Sequence, residues 1–348
     1  MELVLVEDVV RGDGEARERF YDSRGYGRPV ADGLELAPVE AAHLLYRRDI
    51  EAVREAESDE PLDFRALLSS AAVSEIDVLV YKDLRDRGFY LSPAREGWIE
   101  DPAGADFVVY PRGQGPWDDA VAYRVRAESE RTDVPAASLG DTVLAVVDEE
   151  SAITYLETDH PEIEGSTTVD LPTGVAADLL GDRVLVWDPP AALYNGGFYG
   201  QPLDDETGEP LQLSLIEAAA LARQGVLDVE GGVDAIVDRG REVEGERFDR
   251  RLAVYRALRE RGVVPKTGYK FGADFRTYAD VESVDSLGHS ELLVRVLPAD
   301  HTFSPRDLAL DVRLAHGVRK RMVFALVAEA DADGEPRIEW LEVGRLTP

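Results

Sequence analysis

An internal repeat limits the folds open to this 348-residue chain more than any other property of its sequence. Three blocks occur twice in the same order: residues 39–42 and 216–219, residues 80–88 and 254–262, and residues 105–110 and 273–278. The last two pairs are offset by 174 and 168 positions, so the first copy carries six more residues between them. Blocks that recur in order predict a tandem duplication of a unit of about 170 residues, with the seam around residues 160–165.

Each copy is predicted to have a front part and a rear part. Short strands, Gly/Pro turns and one helix, near Val39–Tyr46 or Leu215–Arg223, are typical of the front part. The rear part opens with an amphipathic helix and continues with apolar strands, which predicts an α/β (α+β) fold with a mixed sheet. We therefore predict four subdomains, at residues 1–66, 67–165, 166–245 and 246–348.

The rear part of the second copy has the clearest elements. Its apolar periodicity predicts one helix and three strands: 248–258, 292–297, 322–328 and 338–343. Between the first two strands, Ser304 and Pro305 favour a helix start, and that helix is expected to run to His316 and end at Gly317. Asp333-Gly334 predicts the turn of a hairpin between the last two strands.

Charge and composition exclude several classes of protein. The chain has 38 Lys plus Arg against 70 Asp plus Glu, a formal charge of −32, which argues against a basic protein that coats nucleic acid. The absence of cysteine excludes disulfides and thiolate sites. The longest apolar runs are far shorter than the ~18 residues of a membrane span. We expect a cytoplasmic protein with no membrane or DNA partner.

Only four of the basic residues are lysines: Lys82, Lys266, Lys270 and Lys320. Dense surface carboxylate with little lysine is typical of adaptation to a very salty cytoplasm, where like charges are screened within about 3 Å at 1 M salt. An acidic protein from an ordinary cytoplasm is the alternative, but it does not account for the shortage of lysine. The acidity therefore indicates the solvent more than the ligand.

The two copies differ at residues that carry chemistry. In the second copy, Tyr278 closes the repeated block, His289 precedes a strand, and Lys320 lies at the entry to the next buried strand. In the first copy only Tyr110, the counterpart of Tyr278, survives. This pattern is expected when one half of a duplication does the chemistry.

The counterparts of the other two residues follow from alignment of the strands. Alignment of Val125 with Val296 places Asp118 at the histidine position, and Gly140 takes the lysine position. The first copy has therefore lost two of the three side chains.

Three runs, 269–278 (YKFGADFRTY), 288–290 (GHS) and 314–320 (LAHGVRK), resemble the archaeal tRNA-splicing endonuclease. The tandem layout resembles the form of that family in which two units are fused and the fused chain forms a homodimer. The resemblance implies a degenerate, non-catalytic nuclease-like subdomain at residues 67–165 and a catalytic one at residues 246–348. It implies precursor tRNA as the substrate, cut at a bulge-helix-bulge to remove an intron, with no metal or other cofactor.

Cutting RNA without a metal requires the ribose 2′-hydroxyl to attack its own phosphate, which leaves a 2′,3′-cyclic phosphate and a 5′-hydroxyl. The resemblance implies that Tyr278 is the general base, His289 the general acid and Lys320 the cation beside the transition state. An unperturbed histidine pKa of about 6.5 suits the acid. A tyrosine pKa of about 10 requires nearby positive charge, such as that of Lys320, before a base role is favoured. A positioning role for Tyr278 stays open.

A local patch of positive charge is the predicted RNA contact. Residues 313–321 hold four cations and no acid: Arg313, Arg319, Lys320 and Arg321. The resemblance implies that Arg313, with Arg337 of the last hairpin, stacks on a nucleotide of the bulge.

An acidic turn is the predicted contact between chains. The resemblance implies that Asp148, Glu149 and Glu150 insert into a basic pocket of a neighbouring catalytic unit, and a solvated turn is the alternative. Pairing through residues 153–156 or 338–343 is expected to add to that interface.

Two rival functions remain open. One is a non-catalytic RNA-binding or assembly subunit, and the other is a metal-dependent nuclease that uses carboxylates. Acid pairs such as Asp204-Asp205 are most simply a solvated face at this acid density. The sequence contains no Gly-rich phosphate loop, paired-histidine zinc signature or Gly-x-Ser-x-Gly elbow.

Overall fold

The computed structural model describes residues 3–56, 61–70, 72–118, 120–204, 206–207, 209–330 and 336–348. The front part of the first copy contains β1 (Val4–Val6), β2 (Val9–Gly12), α1 (Gly14–Ala16), β3 (Arg28–Val30), β4 (Gly33–Leu36), α2 (Pro38–Tyr46), β5 (Val53–Glu55), β6 (Pro61–Leu62) and α3 (Phe64–Ser69). Its rear part contains α4 (Glu75–Asp86), β7 (Leu91–Pro93), β8 (Phe107–Val109), β9 (Tyr123–Ser129), β10 (Val134–Pro135), β11 (Thr142–Val147) and β12 (Ile153–Asp159).

The second copy repeats this arrangement. Its front part contains β13 (Val175–Ala176), β14 (Asp178–Leu180), β15 (Arg183–Val186), β16 (Gln201–Pro202), β17 (Leu211–Ser214), α5 (Leu215–Arg223), β18 (Leu227–Asp228) and α6 (Gly232–Glu244). Its rear part contains α7 (Arg247–Glu260), β19 (Val264–Thr267), β20 (Phe275–Tyr278), β21 (Leu292–Pro298), β22 (Thr302–Phe303), α8 (Pro305–Gly317), β23 (Arg321–Ala330) and β24 (Pro336–Leu346). The predicted α/β fold and its duplication are confirmed.

Helix ends follow from local capping. The Ser214 hydroxyl accepts a 3.2 Å hydrogen bond from the Glu217 amide, while the Glu217 carboxylate accepts a 3.0 Å bond from the Ser214 amide, so α5 begins where predicted. Helix α8 ends at Gly317, as predicted, and the left-handed residue that follows it is Arg319, at φ 57°. The predicted turn at Asp333-Gly334 lies outside the described residues.

Ten strands from both copies form one sheet. Its order is β19-β20-β21-β23-β24-β12-β11-β9-β8-β7, so corresponding strands occupy mirror positions on either side of the β24/β12 pair. That central pair is antiparallel, from Tyr155 opposite Leu346 to Asp159 opposite Glu342. The two strands expected to pair between chains are therefore paired with each other inside one chain. This pairing covers the amides and carbonyls that β12 and β24 would otherwise leave unpaired, and the edge strands of the sheet are β19 and β7.

One helix distinguishes the two rear parts. Between β9 and β11 the first copy has a short 3-10 turn at Ala136–Ser138, where the second copy has α8. The buried side chains Leu308 and Val312 of α8 belong to the same hydrophobic cluster as Leu144 and Leu156 of the first copy. The helix of the second copy therefore also packs across the junction.

Candidate active site

Three adjacent strands bring the predicted triad of Tyr278, His289 and Lys320 to one end of the sheet. Tyr278 is the last residue of β20, His289 comes three residues before β21, and Lys320 directly precedes β23. Main-chain hydrogen bonds of 3.1 Å join these ends, from Glu291 N to Thr277 O and from Arg321 N to Glu291 O. The fold therefore gathers residues that are up to 42 positions apart into one cluster of strand ends.

Lys320 is held by the neighbouring strand. Its Nζ donates to the backbone oxygen and to the hydroxyl of Ser290, both at 2.5 Å. The turn before it is closed by the left-handed Arg319, and the Lys320 amide donates to the Ala315 carbonyl at 2.9 Å. Burial, and then the nearby Arg276, lower the pKa of Lys320. An ammonium fixed in this way is suited to stabilise developing negative charge.

Tyr278 packs against the front part of its own copy. It is only 8% exposed, and the Phe198 ring meets it edge-on with centroids 5.7 Å apart. Phe198 has φ 50°, a left-handed conformation that a bulky residue rarely adopts, whereas its counterpart in the first copy is Gly25, at φ 64°. The Phe198 ring therefore covers one side of the Tyr278 ring.

A buried ion pair supports the backbone of Phe198. Lys266 Nζ donates to the carbonyl oxygens of Phe198 and Gly200, at 3.2 and 2.8 Å, and to Glu217 at 3.0 Å. The side chains of Lys266 and Glu217 are 11% and 10% exposed. Burial acts to raise the pKa of Glu217, but Lys266 and two backbone amides outweigh it and lower that pKa to about 2. Burial lowers the pKa of Lys266, and Glu217 acts against this shift. Through its three hydrogen bonds Lys266 fixes the backbone beside Tyr278.

His289 is the exposed member of the triad. Its neighbour Ser290 is buried, so the side chain of His289 lies at the rim of the cluster while its backbone is anchored. An exposed imidazole is accessible to a bound ligand.

The strand registers correct our alignment of the two copies. One residue in each copy pairs with both neighbouring strands: Val125 with Phe107 and Val143, and Val294 with Phe275 and Val323. Val125 therefore corresponds to Val294 and not to Val296. Ala120, not Asp118, then takes the position of His289. The first copy still lacks the histidine, and Gly140 still takes the position of Lys320.

The surviving tyrosine of the first copy has a different environment. The Tyr110 hydroxyl donates to Ser92 at 3.0 Å, and Ser92 occupies the position of Lys266 in the second copy. The hydroxyl of Tyr110 is therefore occupied by a hydrogen bond inside the protein. This agrees with the absence of the other two triad residues from the first copy.

The predicted RNA-contacting arginines are not all at the cluster. Arg313 on α8 and Arg319 after it are exposed near Lys320, and exposed Arg321 pairs with Glu342 at 2.8 Å. Arg337 is exposed, but it precedes Ile338, whose partner Val327 lies six residues along β23 from Arg321. At 3.3 Å per residue the separation is about 20 Å. The structure therefore does not bring Arg337 to the triad.

A different arginine of the last strand lies closer to the triad. Arg345 is two residues beyond Val343, which pairs with Met322 at the start of β23. Arg345 is exposed, and its backbone is fixed on the other side by Leu156 of β12. The sequence did not reveal it, because the register of the hairpin is set by strand pairing.

The acidic turn is ordered by its own first residue. Asp148 Oδ1 accepts the amides of Glu150 and Ala152, at 2.9 and 2.8 Å. Glu149 is exposed and pairs with exposed Arg131 at 2.5 Å, and Glu150 is also exposed. The turn therefore presents two carboxylates to the outside.

Several residues around the triad were missed by the sequence reasoning: Lys266, Phe198, Ser290 and Arg276. The scarcity of lysine could have indicated Lys266 as readily as Lys320. The repeat comparison could have indicated Arg276, because Val108 takes its position in the first copy. Nothing in the sequence distinguishes Phe198, whose backbone angle is visible only in the fold.

In the described part of the chain, no helix is long and apolar enough to cross a membrane.

The fold and the cluster define a duplicated α/β chain of the nuclease-like class, with a Tyr/His/Lys triad at the strand ends of its second copy. A family model described as the catalytic C-terminal domain of tRNA intron endonuclease matches residues 248–340, and the model of its N-terminal domain matches residues 1–68 and 175–238. The chain belongs to the tRNA intron endonuclease family, which confirms the resemblance noted from the sequence.

Relatives match along the whole chain. It is 66% identical to the tRNA-splicing endonuclease of Haloarcula marismortui and 62% identical to that of Natronomonas pharaonis, each over 100% of both chains. It is 38% identical to the tRNA-splicing endonuclease of Methanococcoides burtonii over 99% of both chains. The halophile relatives agree with the adaptation to salt predicted from the composition.

Proposed function

We propose that this protein cuts introns out of precursor tRNA in a salty cytoplasm, at bulge-helix-bulge junctions, as an endoribonuclease that needs no metal. The observation that carries the proposal is the gathering of Tyr278, His289 and Lys320 at the ends of three adjacent strands. The family membership of the chain supports it independently.

The proposed chemistry assigns one task to each side chain. Tyr278 takes the proton of the 2′-hydroxyl, whose oxygen attacks the adjacent phosphorus. Lys320, held by Ser290, stabilises the extra negative charge on the phosphorane-like transition state. His289, exposed at the rim, gives a proton to the departing 5′-oxygen. The products are a 2′,3′-cyclic phosphate and a 5′-hydroxyl, and Arg313, Arg319 and Arg321 anchor the RNA.

The experiment is a cleavage assay with a bulge-helix-bulge RNA in concentrated KCl. We expect the same rate in excess chelator, and we expect no cleavage when the ribose at the cut carries a 2′-deoxy substitution, because the attacking group is then missing. RNA with a 2′-deoxy ribose elsewhere in the bulge is the control and should be cut. Loss of activity in chelator would favour the metal-dependent rival. Binding without cleavage would favour the non-catalytic subunit, and cleavage of the deoxy substrate would reject the 2′-hydroxyl mechanism.

We further propose that the protein acts as a homodimer, with Asp148, Glu149 and Glu150 of one chain docked on the catalytic unit of the other. The supporting observation is the ordered turn that presents Glu149 and Glu150 outward. The degenerate copy would then persist because it supplies this contact.

Reversal of charge in the turn tests the dimer. The Glu149→Lys, Glu150→Lys double variant should dissociate and lose most of its cleavage activity, because two carboxylates that face cationic groups become cations. Sedimentation equilibrium measures the mass. The matched control reverses two exposed acids elsewhere, Asp182→Lys with Glu206→Lys, and should remain a dimer. A wild-type monomer, or a dimeric turn variant, would refute this interface.

A further inference from the structure

Arg276 lies among the charged groups of the candidate site without a counter-ion. It is two residues before Tyr278 on β20, so both side chains leave the same face of the strand. Its guanidinium carbon is 5.8 Å from the centre of the Tyr278 ring. It is also close enough to Lys320 to contribute to the lowering of the pKa of that ammonium, after burial.

The guanidinium is half-buried and unpaired. Arg276 Nε is buried with no hydrogen-bond partner, and no carboxylate lies within ion-pair distance of Arg276 among the described residues. Two other arginines of the same subdomain contrast with it, since Arg247 and Arg251 both pair with Asp274, at 2.6 and 2.9 Å. Arg250 is also half-buried with an unpaired Nε, so what distinguishes Arg276 is its position beside the tyrosine of the triad.

This arrangement is costly in the free protein. A buried donor without an acceptor costs about 1–3 kcal/mol, and a like charge nearby adds repulsion. Unfavourable groups of this kind persist where a ligand supplies the missing partner. An anion that reaches both Arg276 and Lys320 would supply such a partner.

The comparison of the two copies gives an independent argument. Arg276 pairs in register with Leu293 in the second copy, and Val108 takes its place in the first, where it is 1% exposed. The first copy has therefore lost this arginine together with the counterparts of His289 and Lys320. This shared loss associates Arg276 with the residues that distinguish the second copy from the first.

We propose that Arg276 is a further catalytic residue, whose guanidinium binds a non-bridging oxygen of the scissile phosphate beside Lys320. The inference rests on the proposed function, since it requires a phosphodiester bound at the strand ends that carry the triad. Arg276 stays protonated throughout and transfers no proton. It donates hydrogen bonds to the oxygen on which charge accumulates, so two cations, Arg276 and Lys320, face the non-bridging oxygens where the triad alone supplies Lys320. A guanidinium is suited to this role because its planar donors match phosphate geometry.

The test compares Arg276→Met and Arg276→Lys under single-turnover conditions on bulge-helix-bulge RNA. We expect cleavage by the Met variant to fall by about 10²-fold or more, as when one preorganised donor to a transition state is removed. The Lys variant should recover part of that loss, because it restores the positive charge but not the planar pair of guanidinium donors. The melting temperature of the Met variant should stay the same or rise, since an unpaired cation is removed. Arg239→Met, on the exposed face of α6, is the control and should cut normally.

A phosphorothioate measurement separates a catalytic role from packing against Tyr278. Sulfur at one non-bridging position of the scissile phosphate should slow the wild type, and this ratio of rates should shrink in Arg276→Met. An unchanged ratio, or a Met variant within about threefold of the wild-type rate, overturns the inference while leaving the proposed function intact. If Arg276→Met fails to fold, the ratio measured with Arg276→Lys decides in the same way. A wild type that does not cut the RNA overturns the proposed function itself.

Discussion

His289→Ala is expected to bind bulge-helix-bulge RNA with nearly wild-type affinity and to cut it about 10²- to 10⁴-fold more slowly, the range typical of a lost general acid. The reason is that His289 is exposed at the rim of the strand ends and acts only on the departing 5′-oxygen. Single-turnover rates and equilibrium binding, measured on the same RNA, separate the two effects.

A substrate with sulfur in the bridging 5′ position sharpens this prediction. Sulfur departs without protonation, so this RNA should largely restore cleavage by His289→Ala. His301→Ala is the matched control, because His301 packs on Phe303 away from the triad, with ring centroids 4.7 Å apart. Wild-type cutting by His289→Ala would remove the imidazole from the mechanism, and an equal defect on the sulfur substrate would assign it a task other than protonation.

Lys266→Ser is expected to lower the free energy of unfolding by about 3–5 kcal/mol at about pH 8.5, because it leaves Glu217 buried without its cation. The first copy shows what such a site becomes. There Ser92 replaces the lysine, and burial raises the pKa of the corresponding Glu40 to about 7. Urea unfolding in concentrated KCl measures the loss.

The loss should depend on pH with a definite sign. In the wild type the pKa of Glu217 is lowered to about 2, so its stabilising contribution is present above the unfolded value and disappears only as the pH falls toward 2. In Lys266→Ser that pKa should rise toward the value in Glu40, so stability is lost as the pH rises through about 7. The variant should therefore be closer to wild type at about pH 5.5 than at about pH 8.5.

Lys82→Ser provides the matched control for the ion pair. Lys82 makes a partly exposed i,i+4 pair with Asp86, and its removal should cost at most about 0.5 kcal/mol at either pH. Equal losses for Lys266→Ser at both pH values, or a loss no larger than that of Lys82→Ser, would contradict the proposed role of the buried pair. Because Lys266 also holds the Phe198 carbonyl, its loss should slow cleavage as well.

Much of the architecture was accessible from the chain itself. The repeated blocks predicted the duplication, and the helix expected near Leu215–Arg223 is α5. Tyr278, His289 and Lys320 were found because one copy retains what the other lost. The positions of Arg337 and of the counterpart of His289 were not accessible, since each depends on how strands align across a gap of many residues.

Local patterns in a sequence reflect which side of a strand or helix is buried, so the chain by itself determined the elements, their duplication and the residues of the predicted triad. Tertiary structure alone decided that β12 pairs with β24, with Leu156 opposite Arg345 across 189 residues, and that Ser290 anchors Lys320 while Arg276 stays unpaired. The physical reason is that a strand edge accepts any partner with free amides and carbonyls. The partner of each edge is selected by the packing of all ten strands in one sheet. That packing also decides which charged side chains become neighbours.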